Sequence, residues 1–248
     1  MDMKERIEKI ITWLQDQAKN AHVNGALVGV SGGIDSAVVA FLLKKAFPEN
    51  SLGVILPCKS DAKDVEDALT VVQACGINHV TIDLTKTHEE LFSQVKGKVN
   101  EIGDWKENNE KMSDANLRAR LRMSTLYTIA NNYNYLVVGT DNAAEWFTGY
   151  FTKYGDGGVD LVPLVHFTKG EVREIAKIVG VPDEIINKAP SAGLWEGQTD
   201  EGEMGTTYEM IDNFLKGEQI PKRDQQIIER LHRVSEHKRH IAAHPPKI

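Results

Sequence analysis

The stretch VGVSGGIDSA, residues 28–37, decides the fold of this 248-residue chain. An apolar run stops at Ser31-Gly32-Gly33, and Asp35 and Ser36 lead straight into a second apolar run. Residues 26–31 read as a strand buried on both faces, and 35–47 as a helix ending near Pro48. A turn this tight needs backbone freedom. Gly32 and Gly33 supply it and let the main chain pass close to a ligand. The N–H groups that open a helix have no carbonyl of their own helix to bond, and the helix dipole favours an anion in front of them. Ser31 and Ser36 add hydroxyls. The segment therefore predicts a phosphate cradle.

Two familiar cradles are excluded by letter. A Walker A loop ends in Gly-Lys-Ser/Thr, and the chain has no such triplet; it also has no Gly-x-Gly-x-x-Gly. Asp35 sets this loop apart, because a carboxylate beside phosphates repels them unless a cation intervenes. The predicted cation is Mg²⁺, which is held by one or two carboxylates together with phosphate oxygens. The plainer reading is a strand-to-helix turn with Asp35 as an ordinary acid in the first helical turn.

Working outward, the same alternation recurs. Ile7, Ile10, Ile11, Leu14 and Ala18 mark an amphipathic first helix. Strands are expected at 51–57, 79–84 and 135–140, with a fifth at VDLVPL, 159–164. Helices are expected at 61–75, stopped by Gly76, from a capping pair of Thr87 and Glu90, and at 114–132, with polar loop over 99–112. Thr168 and Glu171 form another capping box, followed by an apolar helical stripe that Gly180 and Pro182 close. Helices at 206–216 and 222–238 finish the chain. Short apolar strands alternating with helices predict an α/β fold with a parallel five-stranded sheet flanked by helices. No linker divides the chain, so a single domain over 1–248 is expected, with a core of about 20–190 and a C-terminal helical part of about 206–240. In such a sheet ligands bind beyond the carboxyl ends of the strands, where the Gly32-Gly33 turn sits. Residues 191–205 hold four glycines and four acids and read as a mobile loop, expected to close over the site as a lid.

Composition narrows the function classes. With 41% hydrophobic and 26% charged residues, the chain is a packed globular protein rather than a disordered one. A net charge of −7 argues against a polynucleotide partner, which calls for a basic field. Cys58 and Cys75 form neither a Cys-x-x-Cys pair nor a disulfide framework. The first residues, MDMKERIEKIITWLQ, contain no signal-peptide core, and no run approaches the length of a membrane helix. The expected compartment is the cytoplasm.

The loop matches the PP-loop of the N-type ATP pyrophosphatases, which cleave ATP to AMP and pyrophosphate. Three further segments, 139–164 (GTDNAAEWFTGYFTKYGDGGVDLVPL), 188–195 (KAPSAGLW) and 235–240 (SEHKRH), resemble the ammonia-dependent NAD⁺ synthetase family. The resemblance covers nearly the whole chain. It implies an adenine nucleotide alpha hydrolase-like, Rossmann-like fold, a homodimer, and amidation of nicotinic acid adenine dinucleotide (deamido-NAD⁺) by ammonia. ATP is the implied co-substrate and Mg²⁺ the implied cofactor, with NAD⁺, AMP and pyrophosphate as products by way of an acyl-adenylate. Carried over by position, Gly29, Val30, Ser31, Gly32, Gly33, Ile34, Asp35 and Ser36 bind ATP, and Thr140, Lys169 and Ser191 contact it. Family members often carry Thr where this chain has Ser191, which keeps the hydroxyl. Asp35 and Glu145 are the implied Mg²⁺ carboxylates and, with Lys169, the catalytic groups. Arg120, Lys153, Asp160, His237 and Lys238 are the implied contacts of deamido-NAD⁺.

Each assignment has a structural competitor. Glu145 alone is a solvated helix acid. Lys169 lies in the first turn of a capped helix, where a cation opposes the dipole, so a bound anion would explain it. Arg118 and Arg122 share one helix face and Arg120 lies on another; the resemblance selects Arg120. Asp156-Gly157-Gly158 is first a turn, and the cluster 237–240 is first a cap for a helix C-terminus. No glutaminase domain is evident in these residues, so free ammonia is the expected nitrogen source. The rival functions are another PP-loop pyrophosphatase, of the GMP synthetase or tRNA-modifying kind, and a nucleotide sensor without turnover.

Overall fold

The computed structural model describes residues 1–103, 105–190 and 199–246. The opening stretch forms strand β1, Gly25–Gly29, after helix α1, Met3–Asn20, and before helix α2, Ile34–Ala46. The chain then runs through β2, Ser51–Ile55; α3, Ala62–Cys75; β3, Asn78–Thr81; α4, Thr85–Glu101; α5, Glu110–Tyr133; and β4, Tyr135–Val138. Shorter helices follow: α6, Ala143–Thr148; α7, Lys169–Val179; α8, Asp183–Ile186; α9, Asp200–Met204; α10, Tyr208–Leu215; and α11, Lys222–Val234.

The sheet has four parallel strands in the order β3-β2-β1-β4, with Leu27 of β1 facing Leu52 on one side and Val137 on the other. The expected fifth strand is corrected to a single bridge between Val138 and Leu161. Two causes are visible. The Asp160 carboxylate, rather than a backbone carbonyl, takes the Val137 N–H at 2.8 Å, and Pro163 has no N–H with which to extend a ladder.

Successive strand residues face opposite layers. Val28 and Val138 pack with α1, α2, α3 and α7, whereas Leu27 and Val137 pack against α5. Helix α2 is buried on nearly every face, from Ile34 through Leu43, because the sheet, α1, α3 and α7 surround it. A third, smaller core holds Ala144, Met204, Tyr208, Ile211 and Ile228 and ties α6 to α9, α10 and α11.

The stop at Gly76 and the Thr168–Glu171 capping box form as read, with Gly76 and Gly180 in left-handed conformations. The Thr87–Glu90 capping pair does not form. Helix α4 starts earlier, where the Asp83 carboxylate accepts the Thr85 N–H at 2.8 Å. The loop expected over 99–112 is instead the end of α4, a 3-10 turn at Glu107–Asn109 and the start of α5. Of the loop expected over 191–205, Asp200–Met204 is helix α9, with Asp200 and Met204 buried; 191–198, including Ser191, lie outside the described residues. Among the described residues no helix is long and apolar enough to cross a membrane.

Candidate active site

Strand order places the site. The chain steps from β1 to β2 to β3 on one side of the sheet and then crosses to β4 on the other, so connections leave the carboxyl ends of β1 and β4 in opposite directions. A crevice opens where order reverses. The loop after β1 carries Ser31 to Ser36, and the turn after β4 carries Thr140 to Glu145.

The first loop is held by its own hydroxyls. Ser36 Oγ donates to the Gly33 carbonyl at 3.0 Å and accepts the Ser31 N–H at 3.1 Å, while Ser31 Oγ accepts the Gly33 N–H at 3.2 Å. Gly32 has φ +81°, and a Cβ there would lie 2.7 Å from the Asp64 carbonyl oxygen and 2.8 Å from Asp67 Cβ. Glycine is therefore demanded by the backbone and by the approach of α3, a packing reason beside the ligand-approach reason read from sequence.

The second turn is built by a capping box. Asn142, fully buried, accepts the N–H groups of Ala144 and Glu145 on its side-chain oxygen at 3.0 and 3.1 Å, and Glu145 Oε2 accepts the Asn142 N–H at 3.2 Å. The remaining Asn142 amide group reaches across to Asp35 Oδ1 at 2.9 Å. One side chain thus starts α6 and couples the β4 turn to the β1 loop.

Lys169 joins the two. Its ammonium donates to Asp35 Oδ2 at 2.5 Å and to Glu145 Oε1 at 3.2 Å, and the side chain is 2% exposed. Its main chain is pinned from α10: Asp212 accepts the N–H groups of Lys169 and Gly170 at 3.1 and 2.9 Å. The anions that justify a lysine in this first turn are therefore two carboxylates of the chain itself, while a third, Asp212, caps the backbone. Burial alone would depress the Lys169 ammonium, but Asp35 and Glu145 outweigh it and raise its pKa above the ordinary value. Burial pushes Glu145 up to about 7, with Lys169 opposing and Asp35 assisting. Asp141 is buried with Oδ2 unpartnered, and burial, then Asp156, Glu145 and Asp35, hold its carboxyl well above the usual range.

The fit to a divalent cation rests on this arrangement. Two carboxylates from different loops already converge on one ammonium, a cation position with hard oxygen ligands of the kind Mg²⁺ takes. Among the described residues no group of three or more His, Cys, Asp or Glu could hold a metal. A metal between Asp35 and Glu145 would need further oxygens, which phosphates and water supply.

The residues assigned to the dinucleotide fall in two places. Arg120 is exposed and donates to the Lys153 carbonyl at 3.3 Å; Lys153 Nζ donates to the His237 carbonyl at 2.5 Å. Lys238 donates to the carbonyls of Gly149 and Phe151 at 2.8 and 2.7 Å. These four therefore gather around the segment after α6. Asp160 stands apart from their contacts, accepting from Tyr127 Oη at 2.9 Å and from the Val137 N–H. Arg239 bonds the carbonyls of Trp146, Phe147 and His232, the helix-capping role that the basic cluster first suggests. Arg118 pairs with Asp114, and Arg122 donates to the Leu56 carbonyl at 3.0 Å.

Sequence reading missed Asn142, Asp200 and Tyr208. The first had a signal: Asn142 and Glu145 stand three apart, as Thr168 and Glu171 do. Tyr208 had none, since its hydroxyl reaches Glu145 Oε1, at 2.9 Å, only through the packing of α10 on α6.

Known proteins resemble this chain over nearly its whole length. A family model described as NAD synthase matches residues 6–242. The NH(3)-dependent NAD(+) synthetase of Alkaliphilus oremlandii (strain OhILAs) is 58% identical over 244 residues, 98% of this chain and 98% of its own. Among solved structures, an NMN synthetase from Francisella tularensis superposes with a TM-score of 0.91 at 42% identity, covering 99% of each chain. An NH3-dependent NAD synthetase from Campylobacter jejuni, in complex with the nitrate ion, gives 0.79 at 27% identity over 99% of this chain and 100% of its own.

Proposed function

The chain belongs to the NAD synthase family, and from that premise we propose that it amidates deamido-NAD⁺ with ammonia, consuming ATP and releasing NAD⁺, AMP and pyrophosphate. The observation that carries the reading is the Lys169 ammonium held between Asp35 and Glu145 at the mouth of the β1 and β4 loops. A nucleotide sensor has no need of two converging carboxylates and a buried lysine.

A nicotinate carboxylate is a poor acylating agent because its leaving group would be oxide or hydroxide. In the first step a carboxylate oxygen attacks the α-phosphorus of ATP, the bond from that phosphorus to the bridging oxygen breaks, and pyrophosphate leaves. In the second, the nitrogen of ammonia attacks the acyl carbon, the bond to AMP breaks, and a proton is lost from nitrogen. The β1 loop, Gly29 to Ser36, with Thr140 and Ser191, is the proposed ATP contact. Lys169 is suited to neutralise charge gathering on the departing pyrophosphate. Mg²⁺ held by Asp35 and Glu145 would supply charge neutralisation on the phosphate oxygens. Arg120, Lys153, Asp160, His237 and Lys238 are the proposed deamido-NAD⁺ contacts, within a single functional unit spanning 1–248. Exclusion of water protects the acyl-adenylate from hydrolysis. We also propose a homodimer in the cytoplasm, the former supported by apolar side chains exposed on α4.

One observation favours a second substrate. The solved structure with the TM-score of 0.91 is an NMN synthetase, and the carboxylate to be activated is the same in a mononucleotide and a dinucleotide. The deciding assay follows AMP and amide product from ATP and ammonium with deamido-NAD⁺ or nicotinic acid mononucleotide in parallel wells. AMP and NAD⁺ in equal amounts are expected from the first. Preference for the mononucleotide would reassign the substrate, and ATP cleavage with neither would end the reading. Glutamine in place of ammonium is expected to give no product.

A further inference from the structure

Tyr208 is the first residue of α10, and its side chain is almost wholly buried. Its hydroxyl lies 2.9 Å from Glu145 Oε1 and 2.9 Å from Asp200 Oδ2. Its ring carries the Lys169 ammonium 4.5 Å above the centroid, and its N–H donates to Glu201 Oε1 at 2.9 Å. Asp200 and Glu201 open α9. A single side chain therefore touches both partners of the Asp35–Lys169–Glu145 cluster that face α10, and the helix beside them.

A phenol has one hydrogen to give. Both neighbours of the Tyr208 hydroxyl are carboxylates, so the hydrogen serves one at a time. We infer that Tyr208 is a positioning residue that couples cation loading at Asp35 and Glu145 to the docking of α9. When a divalent cation brought with the nucleotide takes the lone pairs of Glu145, the hydroxyl turns to Asp200 and holds α9 against the site. When the Lys169 ammonium alone serves Glu145, that carboxylate competes with Asp200 for the hydrogen, and α9 keeps its other ties, among them the packing of Met204, the Tyr150 hydroxyl, at 3.3 Å from Asp200 and 2.5 Å from Glu203, and the Glu201 contact. The inference rests on the proposed Mg²⁺–ATP site.

The test uses the full-length protein, Mg²⁺ and α,β-methylene ATP, in which the bond to be broken is replaced by one that the reaction cannot cleave. Hydrogen exchange of the α9 amides is read with and without these ligands, beside the analogue's dissociation constant. In the unaltered protein, α9 is expected to gain protection on loading. In Y208F, which keeps the ring under Lys169, the gain should vanish and the analogue should bind about tenfold more weakly, the scale of one hydrogen bond to a charged group. D200A removes the acceptor at the other end of the contact and should also abolish the gain. The double variant should be no worse than Y208F, since both changes delete one bond. An unchanged gain in Y208F, additive effects in the double variant, or no gain in the unaltered protein would each overturn the coupling. Failure of the unaltered protein to bind the analogue would instead overturn the Mg²⁺–ATP site itself. D200A keeps the test decisive if Y208F does not fold.

Discussion

At the scale of single residues, Lys169 carries the most weight. It is a buried cation whose two carboxylate partners are partly buried, and removing it leaves them unpaired in a poor solvent. The cost of that is about 3–5 kcal/mol. Lys169→Ala should therefore lower the thermal midpoint as well as abolish turnover. If Asp35 and Glu145 are the metal ligands, millimolar Mg²⁺ without nucleotide should recover part of the lost midpoint in the variant. In the unaltered protein the ammonium already fills that position, and Mg²⁺ should do little. Thermal denaturation with and without Mg²⁺ reads this directly, and an equal response in both proteins would count against the ligand assignment. Part of the site could be seen in the residues alone. Asp35 in a glycine turn pointed to a cation, and a lysine in a helix first turn pointed to an anion. Neither reading could say that each answers the other, because 134 positions separate them.

Elements show where local signals suffice and where they fail. The α7 boundaries were legible because Thr168, Glu171 and Gly180 act within one turn of the helix. The fifth strand was misread because an apolar run does not reveal that Asp160 and Pro163 interrupt its ladder, and the start of α4 was misread because Asp83 outcompetes a later Thr-x-x-Glu. Helix α9 was invisible: five residues rich in acid and glycine become helical when Met204 and Asp200 find partners on α6 and α10. One element contact carries a pH prediction. Arg6 of α1 donates to Glu171 of α7 at 2.6 Å and stacks 4.2 Å from the Phe167 ring centroid. Burial alone would raise the Glu171 carboxyl, but Arg6 and the Thr168 N–H and hydroxyl outweigh it and hold its pKa below 4.5. With the folded value depressed, the unfolded chain binds the extra proton at acid pH. The stabilisation is then full above 4.5 and is lost as pH falls through the folded value. Arg6→Ala should cost about 1 kcal/mol at pH 7, since the pair is partly exposed. Urea midpoints of the two proteins should converge as the pH drops below 4.5. A gap that is constant with pH would assign the loss to the Phe167 stacking instead.

The whole molecule presents one surface that its own core does not explain. Helix α4 buries His88 but leaves Leu91 39% and Val95 45% exposed, four residues apart and hence on one face. Ile102, just past the end of α4, and Met112, in the first turn of the neighbouring α5, are 75% and 59% exposed. Single exposed apolar side chains need no explanation, but three on two packed helices and a fourth at the end of one are the composition expected at the centre of an interface. A second copy of the chain, presenting the same face, would cover them in a two-fold arrangement. Sedimentation at micromolar concentration should then give about twice 27.6 kDa. A pair of changes, Leu91→Lys with Val95→Lys, would set four lysines against one another across the axis and should return the mass to that of one chain. The α4 face lies on the α5 side of the sheet, whereas Lys169 enters the site from α7 on the other side, so the variant should keep the Asp35–Lys169–Glu145 cluster intact. Its circular dichroism should be unchanged. Turnover that falls in step with dissociation would mean that the second copy completes the site. A monomeric unaltered protein, or a dimer unmoved by the two lysines, would place the interface elsewhere or remove it.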